Sequence, residues 1–447
     1  MASLHPMGTV ALPRTVLVLG ARGFLGEHIV ERLIASGYEV MAALRPGSTH
    51  AYSSSRVRVI EGDLLDASFV RGILDQADAA IFAAGRTWQP GLPLVEYHRQ
   101  NVGLTTRFFE ALGHRPAMRV VFTSSLATIS GSRSPHVFAE DSDRREVCDR
   151  FLSPYARAKI LCERLALDAA RRGNDVVILN PGQLVGPGVH SGSNLATSFL
   201  LLWYCQGKAP FYVQGGTTYS DVRDVARAHV LALARGKSGQ RYILGGHCLE
   251  RGEFYARVAR LTGLRPPRGV PRGLVYLLMA LADGLAFLSA GRLRSPAHRL
   301  FARAEGLYYY GGSQGACREL GYTITPLEVS VLDTLRDYHG RALLPPELDF
   351  VRDVSVEDAP AFVLLKRLVR RSAYSRYLLA RIGRVYETCR SNHELQSALT
   401  RLLEARPFDG QGKLPPSRSR LARDRRLLND FLEYLYFASD EFLREVD

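Results

Sequence analysis

The chain has little lysine. Of the 58 basic residues among its 447, five are lysine, and with 44 acidic residues the net charge is +14. We interpret the excess of arginine as a compositional bias; attraction to anionic lipid, nucleic acid or a phosphorylated substrate is the alternative. Where so few lysines are kept, a retained lysine is a candidate for a chemical role.

The sequence also shows neither closely paired cysteines nor the pattern of a leader sequence. The six cysteines are scattered without a C-x-x-C pair, which favours reduced thiols over a disulfide scaffold, and we predict no metal site. The first residues show no charged segment followed by an apolar core, so no signal peptide is predicted. We therefore expect a cytoplasmic protein, with contact at a membrane surface as the further possibility.

A membrane-spanning run is not evident either. The longest apolar stretch, residues 273–290, carries Asp283 and Gly284 in its middle and falls short of about 20 clean apolar residues. A buried or amphipathic helix is the preferred interpretation, and docking on a membrane surface is the alternative.

A glycine-rich turn near the N-terminus carries the first functional pattern. The apolar, β-prone run Thr15–Leu19 precedes Gly20, Gly23 and Gly26, and Glu27 to Ser36 has helical periodicity. Such glycines permit a tight turn, a close approach of backbone to a pyrophosphate and close helix–strand packing. The helix N-terminus offers N–H groups and partial positive charge to phosphates. The pattern predicts dinucleotide binding.

Strands and helices alternate from Thr15 to about Asn180. This alternation predicts an α/β fold of the Rossmann type, a doubly wound parallel sheet with its ligand beyond the carboxyl ends of the strands. After Pro181 the pattern becomes irregular, which suggests a smaller substrate lobe. The predicted organisation is a tail (1–13), a catalytic domain (14–343, with a nucleotide-binding core of about 14–185 and a substrate lobe at 186–343) and a C-terminal region (344–447).

The C-terminal region is predicted to be an all-helical appendage. Ala361 to Tyr386 is a basic amphipathic segment, and two further helices follow it. We expect the appendage either to contact an anionic membrane or partner helix, or to pack on the main body with its arginines in solvent.

A tyrosine and a lysine lie four residues apart in Tyr155-Ala-Arg-Ala-Lys159, on one face of a predicted helix. A free tyrosine has a pKa near 10, and a nearby positive charge lowers it and so favours proton transfer. A second match, Tyr204 to Lys208, contains Gly207 and follows no serine-ended strand, so we interpret it as structural. The first match follows Arg119-Val-Val-Phe-Thr-Ser-Ser125.

Together these motifs resemble those of the extended short-chain dehydrogenase/reductases. The similarity is greatest to the dihydroflavonol-reductase-like, 3β-hydroxysteroid-dehydrogenase-like and hopanoid-associated-epimerase-like branch. It covers about residues 14–340. In family order the matching pieces are Gly20-x-x-Gly23-x-x-Gly26, Gly62-Asp-Leu64, Ile81-Phe-Ala-Ala-Gly85, Asn101-Val102, Thr123-Ser-Ser125, Tyr155-x-x-x-Lys159, Asn180-Pro-Gly182, Asp221-Val-Arg-Asp-Val225 and Leu320-Gly-Tyr322.

The resemblance implies catalytic roles for four residues. Ser125 would polarise the substrate carbonyl, with Ser124 as the alternative. Tyr155 would be the general acid in reduction or the base in oxidation. Lys159 would bind the nicotinamide ribose and tune Tyr155, and Asn101 would support a proton path.

It also implies a cofactor site. Asp63 and Leu64 would flank the adenine, Ala84 and Gly85 would form a wall beside the nicotinamide ribose, and Pro181 and Gly182 would line the nicotinamide end. The predicted cofactor-binding residues are Gly20, Arg22, Gly23, Phe24, Leu25, Gly26, Arg45, Asp63, Leu64, Ala84, Gly85, Tyr155, Lys159, Pro181 and Gly182.

The end of the second strand bears on the choice of cofactor. NAD-preferring relatives have an acid there for the ribose 2′-hydroxyl, whereas this chain has Ala43-Leu44-Arg45, with Arg22 inside the glycine turn. Two guanidinium groups suit a 2′-phosphate, so NADP(H) is favoured over NAD(H). The alternative is that both arginines are ordinary surface charges.

The leading hypothesis is therefore an NADP(H)-dependent oxidoreductase that interconverts a ketone or aldehyde and an alcohol on an apolar, sterol-, terpenoid- or flavonoid-like substrate. One alternative is an NAD-dependent nucleotide-sugar epimerase or dehydratase, with Arg223 as a diphosphate clamp. Another is a non-catalytic NADP-sensing or scaffold protein. A homodimer is a possible assembly, and no specific nucleic-acid partner is predicted.

Overall fold

Seven parallel strands form the central sheet of the computed structural model. The structure describes residues 14–48, 52–88, 92–142, 152–188, 197–271, 273–275, 277, 306–345 and 348. The strand order β11-β7-β5-β4-β1-β2-β3, labelled below, places β1 in the interior of the sheet, with neighbours on both sides. All six strand pairings in it are parallel.

The first half of the chain supplies most of this sheet. Its elements are β1 (Thr15–Leu19), α1 (Phe24–Ala35), β2 (Glu39–Leu44), β3 (Val57–Glu61), α2 (Ala67–Leu74), β4 (Ala79–Phe82), α3 (Leu94–Tyr97), a π-helical turn (His98–Val102), α4 (Gly103–Leu112), β5 (Arg119–Thr123), a 3₁₀ turn (Leu126–Thr128), β6 (Val137–Phe138), α5 (Pro154–Arg171), β7 (Val176–Pro181) and β8 (Gln183–Val185).

The second half adds helices and two smaller sheets. Its elements are α6 (Thr197–Cys205), β9 (Phe211–Val213), β10 (Gly216–Asp221), α7 (Val222–Arg235), β11 (Arg241–Leu244), β12 (His247–Glu250), α8 (Arg251–Thr262), β13 (Arg268–Val270), β14 (Tyr308–Gly311), α9 (Gln314–Leu320) and α10 (Leu327–Gly340).

Each face of the central sheet has its own apolar core. Residues of β1 alternate between them, because successive side chains of a strand point to opposite faces. Val16 and Val18 pack with residues of α1 and α7. Leu17 and Leu19 pack with residues of α2, α4 and α5. This is the doubly wound Rossmann-type arrangement that the strand–helix alternation predicts.

The predicted strand Thr15–Leu19 is found with the same bounds. The first helix begins at Phe24 rather than at Glu27, because Gly23 is its N-cap and Gly26 lies in its first turn. The helical stretch from Leu94 to Leu112 contains a π-helical turn in its middle, and Asn101 lies in that turn.

The region after Pro181 is more ordered than the sequence pattern indicates. A five-stranded sheet runs β12-β10-β14-β6, with β8 also paired to β10, and β13 pairs with β9. The central sheet also receives β11 from beyond residue 185. Short strands broken by glycines carry little periodicity, which explains why the pattern misses them.

Several predictions lie outside the described residues. These are the tail 1–13, most of the apolar stretch 273–290 and the basic helices after residue 348. Within the part of the chain that the structure describes, no helix has the length and apolar character needed to cross a bilayer.

Candidate active site

The glycine turn (Gly20–Gly26) joins β1 to α1 at the carboxyl edge of the central sheet. Gly20 has φ +86°, and a Cβ there would lie 2.7 Å from the main chain of Ala83 on the neighbouring strand connection. A Cβ on Gly26 would lie 2.0 Å from the Gly20 carbonyl oxygen. Both positions therefore require glycine, and the turn leaves the N-terminus of a 12-residue helix facing the predicted phosphate site.

One cavity of about 590 Å³ adjoins this turn. It brings together most of the predicted site residues: Gly23, Phe24, Leu25, Gly26, Ala84, Gly85, Ser125, Tyr155, Lys159, Pro181 and Gly182 all line it. Gly20, Arg22, Arg45, Asp63 and Leu64 do not line it and lie at the β1–β2–β3 end of the sheet. Asn101 lies behind the cavity wall.

The β2 end of the sheet carries the two predicted arginines. β1 and β2 are adjacent, and both Arg22 and Arg45 are exposed just beyond their ends. Arg22 Nη1 donates to Ser48 Oγ at 3.0 Å, so the glycine turn is tied to the loop that follows β2. The carboxylate nearest to this loop, Glu61, accepts the Gly47 N–H at 3.0 Å.

Asp63 follows β3 at the position predicted for the adenine. Its Oδ1 accepts the Leu65 N–H at 2.9 Å, which stabilises the local turn. Leu64 is half-buried and packs against the core on that face. The turn thus presents one carboxylate and one apolar side chain at the sheet edge.

Helix α5 places Tyr155 and Lys159 one turn apart. The helix begins at Pro154, where the fixed φ of proline suits the first position, and Ser153 Oγ caps it by accepting the Ala156 N–H at 3.1 Å. The Ser125 hydroxyl is near enough to the Tyr155 phenol to lower its pKa. Lys159 Nζ donates to the Thr123 carbonyl at 2.8 Å.

The protonation of Tyr155 differs from the prediction. Burial raises the pKa of the Tyr155 phenol, and the Ser125 hydroxyl only partly opposes that rise. Burial also lowers the pKa of Lys159. Lys159 is not among the groups that shift the pKa of Tyr155, and its ammonium group donates to the Thr123 carbonyl. A phenol with a raised pKa keeps its proton at neutral pH.

Asn101 is buried in the π-helical turn. Its Oδ1 accepts the Arg86 N–H at 2.7 Å and its Nδ2 donates to the Arg86 carbonyl at 2.9 Å. Both bonds fix the backbone beside Gly85, which lines the cavity. These contacts make Asn101 a support for that wall. Among the residues that the structure describes, no hydrogen bond joins Asn101 to Tyr155 or Lys159.

A buried carboxylate lies one further turn along α5. Glu163 Oε2 accepts hydrogen bonds from Asn180 Nδ2 at 2.6 Å, from Thr128 Oγ1 at 2.7 Å and from Ser124 Oγ. The Ser125 carbonyl lies 2.7 Å from Thr128 Oγ1, whose single proton it shares with Glu163, and it accepts from Asn180 Nδ2 at 3.2 Å. Ser124 is committed to Glu163, and Ser125 is the serine whose hydroxyl influences Tyr155.

The remaining wall of the cavity contains six aromatic side chains among aliphatic and polar ones. The six are Trp88, Trp203, Phe211, Tyr212, Tyr255 and Tyr309. Lys208 also lines it, three residues beyond the end of α6 at Cys205, so Tyr204 and Lys208 do not form a helical pair. Tyr204 is buried, and no pattern in the sequence indicates that Lys208 reaches the cavity.

Arg223, the predicted diphosphate clamp of one alternative, is engaged elsewhere. Its guanidinium donates twice to Asp221, at 2.7 and 3.0 Å, and once to Asp333 at 2.8 Å. Ser330 Oγ donates to the same buried Asp221 at 2.7 Å. These bonds join the start of α7 to α10 and do not face the cavity.

Comparison with known proteins identifies the family. The model of the NAD dependent epimerase/dehydratase family matches residues 16–245, which is more than half of the chain. The chain belongs to this family. It is thus an NAD(P)-dependent enzyme of the reductase and epimerase type, as its motif order indicates.

Individual relatives cover most of the chain. A putative dihydroflavonol 4-reductase of Synechocystis sp. is 29% identical over 341 residues, 74% of this chain and 97% of that protein. Sterol demethylase protein B of Methylococcus capsulatus is 27% identical over 338 residues, 74% of this chain and 100% of that protein. The solved structure of MoeE5 with UDP-glucuronic acid and NAD is 26% identical, with a TM-score of 0.57 over 73% of this chain and 99% of that one.

Proposed function

We propose that the protein is an NADP(H)-dependent oxidoreductase that interconverts a ketone or aldehyde and an alcohol on an apolar, ring-containing substrate. Tyr155 is the proton donor in reduction and the acceptor in oxidation. The observation that carries the proposal is that Tyr155, Ser125 and Lys159 line one cavity with the glycine turn and six aromatic side chains.

The residues of the glycine turn suit a dinucleotide. The backbone approach that Gly20 and Gly26 permit, and the helix N-terminus at Gly23, form a cradle that a Cβ would fill. When bound there, the cofactor supplies or accepts the hydride at the nicotinamide. Lys159 lies in the same cavity, where its ammonium group can bind ribose hydroxyls.

The protein's own groups handle the proton. Ser125 and Tyr155 both line the cavity and present two hydroxyl groups to a substrate oxygen. Because burial raises the pKa of Tyr155, the phenol is protonated at neutral pH and can donate to an oxygen that gains negative charge. In the reverse direction the phenolate form must be reached first, so oxidation is expected to require higher pH.

The preference for NADP(H) rests on Arg22 and Arg45. Both guanidinium groups are exposed at the β2 end of the sheet, where the ribose 2′ position is expected, and Ser48 holds Arg22 there. A 2′-phosphate would gain charge-assisted hydrogen bonds from such groups. The absence of an acid directly after β2 disfavours a 2′-hydroxyl partner.

The apolar substrate is supported by the cavity wall and by two relatives. The six aromatic rings provide large apolar surfaces, and ligand pockets of this composition bind apolar bodies through a few placed polar groups. The names of the reductase of Synechocystis sp. and of the sterol demethylase protein of Methylococcus capsulatus refer to ring compounds.

A nucleotide-sugar epimerase or dehydratase is the second candidate. The likeness to MoeE5 with UDP-glucuronic acid and NAD favours it. The bonds of Arg223 to Asp221 and Asp333 oppose it, because the predicted diphosphate clamp is already engaged. A non-catalytic role is disfavoured because Ser125, Tyr155 and Lys159 are all present and share one cavity.

The test is to offer the purified full-length protein NADPH or NADH together with a panel of cyclic aromatic and steroidal ketones. Oxidation of the nicotinamide is followed by absorbance, and the alcohol is identified by mass spectrometry. The proposal predicts ketone-dependent oxidation of NADPH. Conversion of a UDP-sugar without net cofactor oxidation, and no reduction of any ketone, would support the second candidate instead.

A further inference from the structure

We propose that Lys208 and Arg251 form a subsite for an anionic group, a carboxylate or phosphate, carried by the apolar substrate. The inference rests on the proposed function and adds an anionic group to the apolar substrate proposed there. Its starting point is a lysine and an arginine that line the substrate cavity, neither of which contributes to the hydride-transfer chemistry.

The scarcity of lysine draws attention to Lys208. Only five of the 58 basic residues are lysine, and three of the five, Lys159, Lys208 and Lys237, are in the described part of the chain. Two of these three line the same cavity. In a chain that otherwise uses arginine, this coincidence indicates that the cavity uses compact ammonium groups.

The chain segment around β9 holds both cations at one wall. Every residue from 208 to 213 lines the cavity. Arg251 is attached to the end of this segment, because its Nη1 donates to the Val213 carbonyl at 3.0 Å and its main-chain N–H donates to Gly215 at 2.9 Å. Lys208 Nζ donates to Gln206 Oε1 at 2.8 Å and forms no ion pair with any residue that the structure describes.

The charged side chains that line the cavity are all cationic among the described residues. The described lining contains four cationic side chains, Arg86, Lys159, Lys208 and Arg251, and no aspartate or glutamate. Lys159 bonds the Thr123 carbonyl and Arg86 Nε bonds Gln100 Oε1 at 2.5 Å, so these two cations are anchored near the nicotinamide end and the Gly85 wall. Lys208 and Arg251 add positive charge beside aromatic side chains, which favours an anion and disfavours a cationic ligand.

This arrangement specifies a substrate of two parts. The ring system contacts aromatic residues such as Phe211 and Tyr212, with its carbonyl at Ser125 and Tyr155. A carboxylate or phosphate at another position contacts Lys208 and Arg251. Neutral analogues still fill the apolar part of the cavity and lose only the ionic contact.

The test compares a cyclic aromatic keto acid with its methyl ester and with the corresponding phosphate monoester, each under saturating NADPH. We expect wild-type protein to prefer the acid or the phosphate to the ester by kcat/KM. Lys208→Gln should reduce that preference roughly 3- to 10-fold, mainly through KM, and high salt should weaken it. The ratio of acid to phosphate identifies which anion the subsite takes. Lys237→Gln, an exposed lysine paired with Glu319 at 3.1 Å, is the matched control for charge and should leave the ratios unchanged.

The outcomes separate the two proposals. Equal kcat/KM for the charged and neutral ketones, unaltered in Lys208→Gln, would overturn the subsite while leaving the oxidoreductase intact. Failure to reduce any ketone would contradict the proposed function. In that case calorimetric titration of the keto acid into cofactor-saturated protein still decides the subsite, because the wild type should bind the acid more tightly than Lys208→Gln does, and equal binding overturns it.

Discussion

Glu163 Oε2 accepts a hydrogen bond from Asn180 Nδ2 at 2.6 Å, which joins the middle of α5 to the end of β7 beneath the active-site loop. The same oxygen binds Thr128, and Thr128 and Asn180 both hold the Ser125 carbonyl. Glu163 lies four residues after Lys159, as Lys159 lies four after Tyr155. One helix face therefore carries both the proposed proton-transfer pair and the anchor of the serine loop.

Replacement of Glu163 tests this anchor. Glu163→Ala leaves the donors of Ser124, Thr128 and Asn180 without their shared acceptor, so we expect a loss of about 3 kcal/mol in the free energy of unfolding. Glu163→Gln keeps one acceptor oxygen and should lose less. Because the residue acts through the Ser125 loop, Glu163→Gln should lower kcat roughly 10-fold with little change in the dissociation constant of the cofactor.

Urea denaturation and steady-state kinetics measure both effects. Glu110→Gln, on an exposed surface where Glu110 pairs with Arg107 at 2.9 Å, is the control and should change neither quantity. A Glu163→Gln protein whose kcat equals that of the wild type would show that the network supports stability alone.

The cofactor preference is tested at Arg45. Arg45→Asp removes a charge from the β2 end of the sheet and places there a carboxylate, which repels a 2′-phosphate and can bind a 2′-hydroxyl. We expect the preference for NADPH over NADH, by kcat/KM, to fall roughly 10- to 100-fold. Arg71→Asp, on the exposed face of α2, controls for net charge. A wild-type protein that already prefers NADH would contradict the assignment to Arg22 and Arg45.

The fold and part of the site are predictable from the sequence for identifiable reasons. The buried strands of the central sheet are continuous apolar runs in the sequence. At Gly20 and Gly26 no side chain fits, and this requirement appears in the sequence as glycines at a fixed spacing. Tyr155 and Lys159 can be predicted as a pair because residues four apart in a helix lie close together on one face. Local rules of this kind need no knowledge of tertiary contacts.

Other features depend on tertiary contacts. Glu163 has the sequence context of a solvent-exposed helix residue, and its burial follows from contacts with two separate segments, the loop after β5 with Ser124 and Thr128, and β7 with Asn180. Lys208 follows the end of a helix as an ordinary surface lysine would, and only the path of β9 brings it to the cavity. The protonated state of Tyr155 depends on burial, which spacing alone does not report.

Stability at acidic pH tests the environment of His229. This residue is fully buried, its Nδ1 donates to the Val225 carbonyl at 2.7 Å, and its Nε2 accepts from Thr123 Oγ1 at 2.8 Å. Burial lowers the pKa of His229 to about 4 from 6.5. Between these values the unfolded chain binds a proton that the folded protein does not, so stability falls as the pH decreases through this window.

The His229→Gln variant lacks this titration. Between about pH 7.5 and about pH 5 the wild type should lose roughly 2 kcal/mol through this group, and the variant should lose correspondingly less. The measurement is the free energy of unfolding in urea at about pH 7.5 and about pH 5, for both proteins. The pH-dependent change in the wild type minus that in the variant gives the contribution of His229 apart from other titrating groups. Parallel pH profiles for the two proteins would show that His229 can be protonated in the folded state.

The most direct test of the central claim is the rate of ketone reduction by Tyr155→Phe under single-turnover conditions with bound NADPH. The substitution removes the phenolic proton donor and leaves the ring that packs against Tyr97, whose centroid is 5.9 Å away. The account predicts unchanged binding of NADPH and a rate of hydride transfer at least roughly 100-fold lower. A Tyr155→Phe protein that reduces the ketone at the wild-type rate would contradict the assignment of Tyr155 as the proton donor.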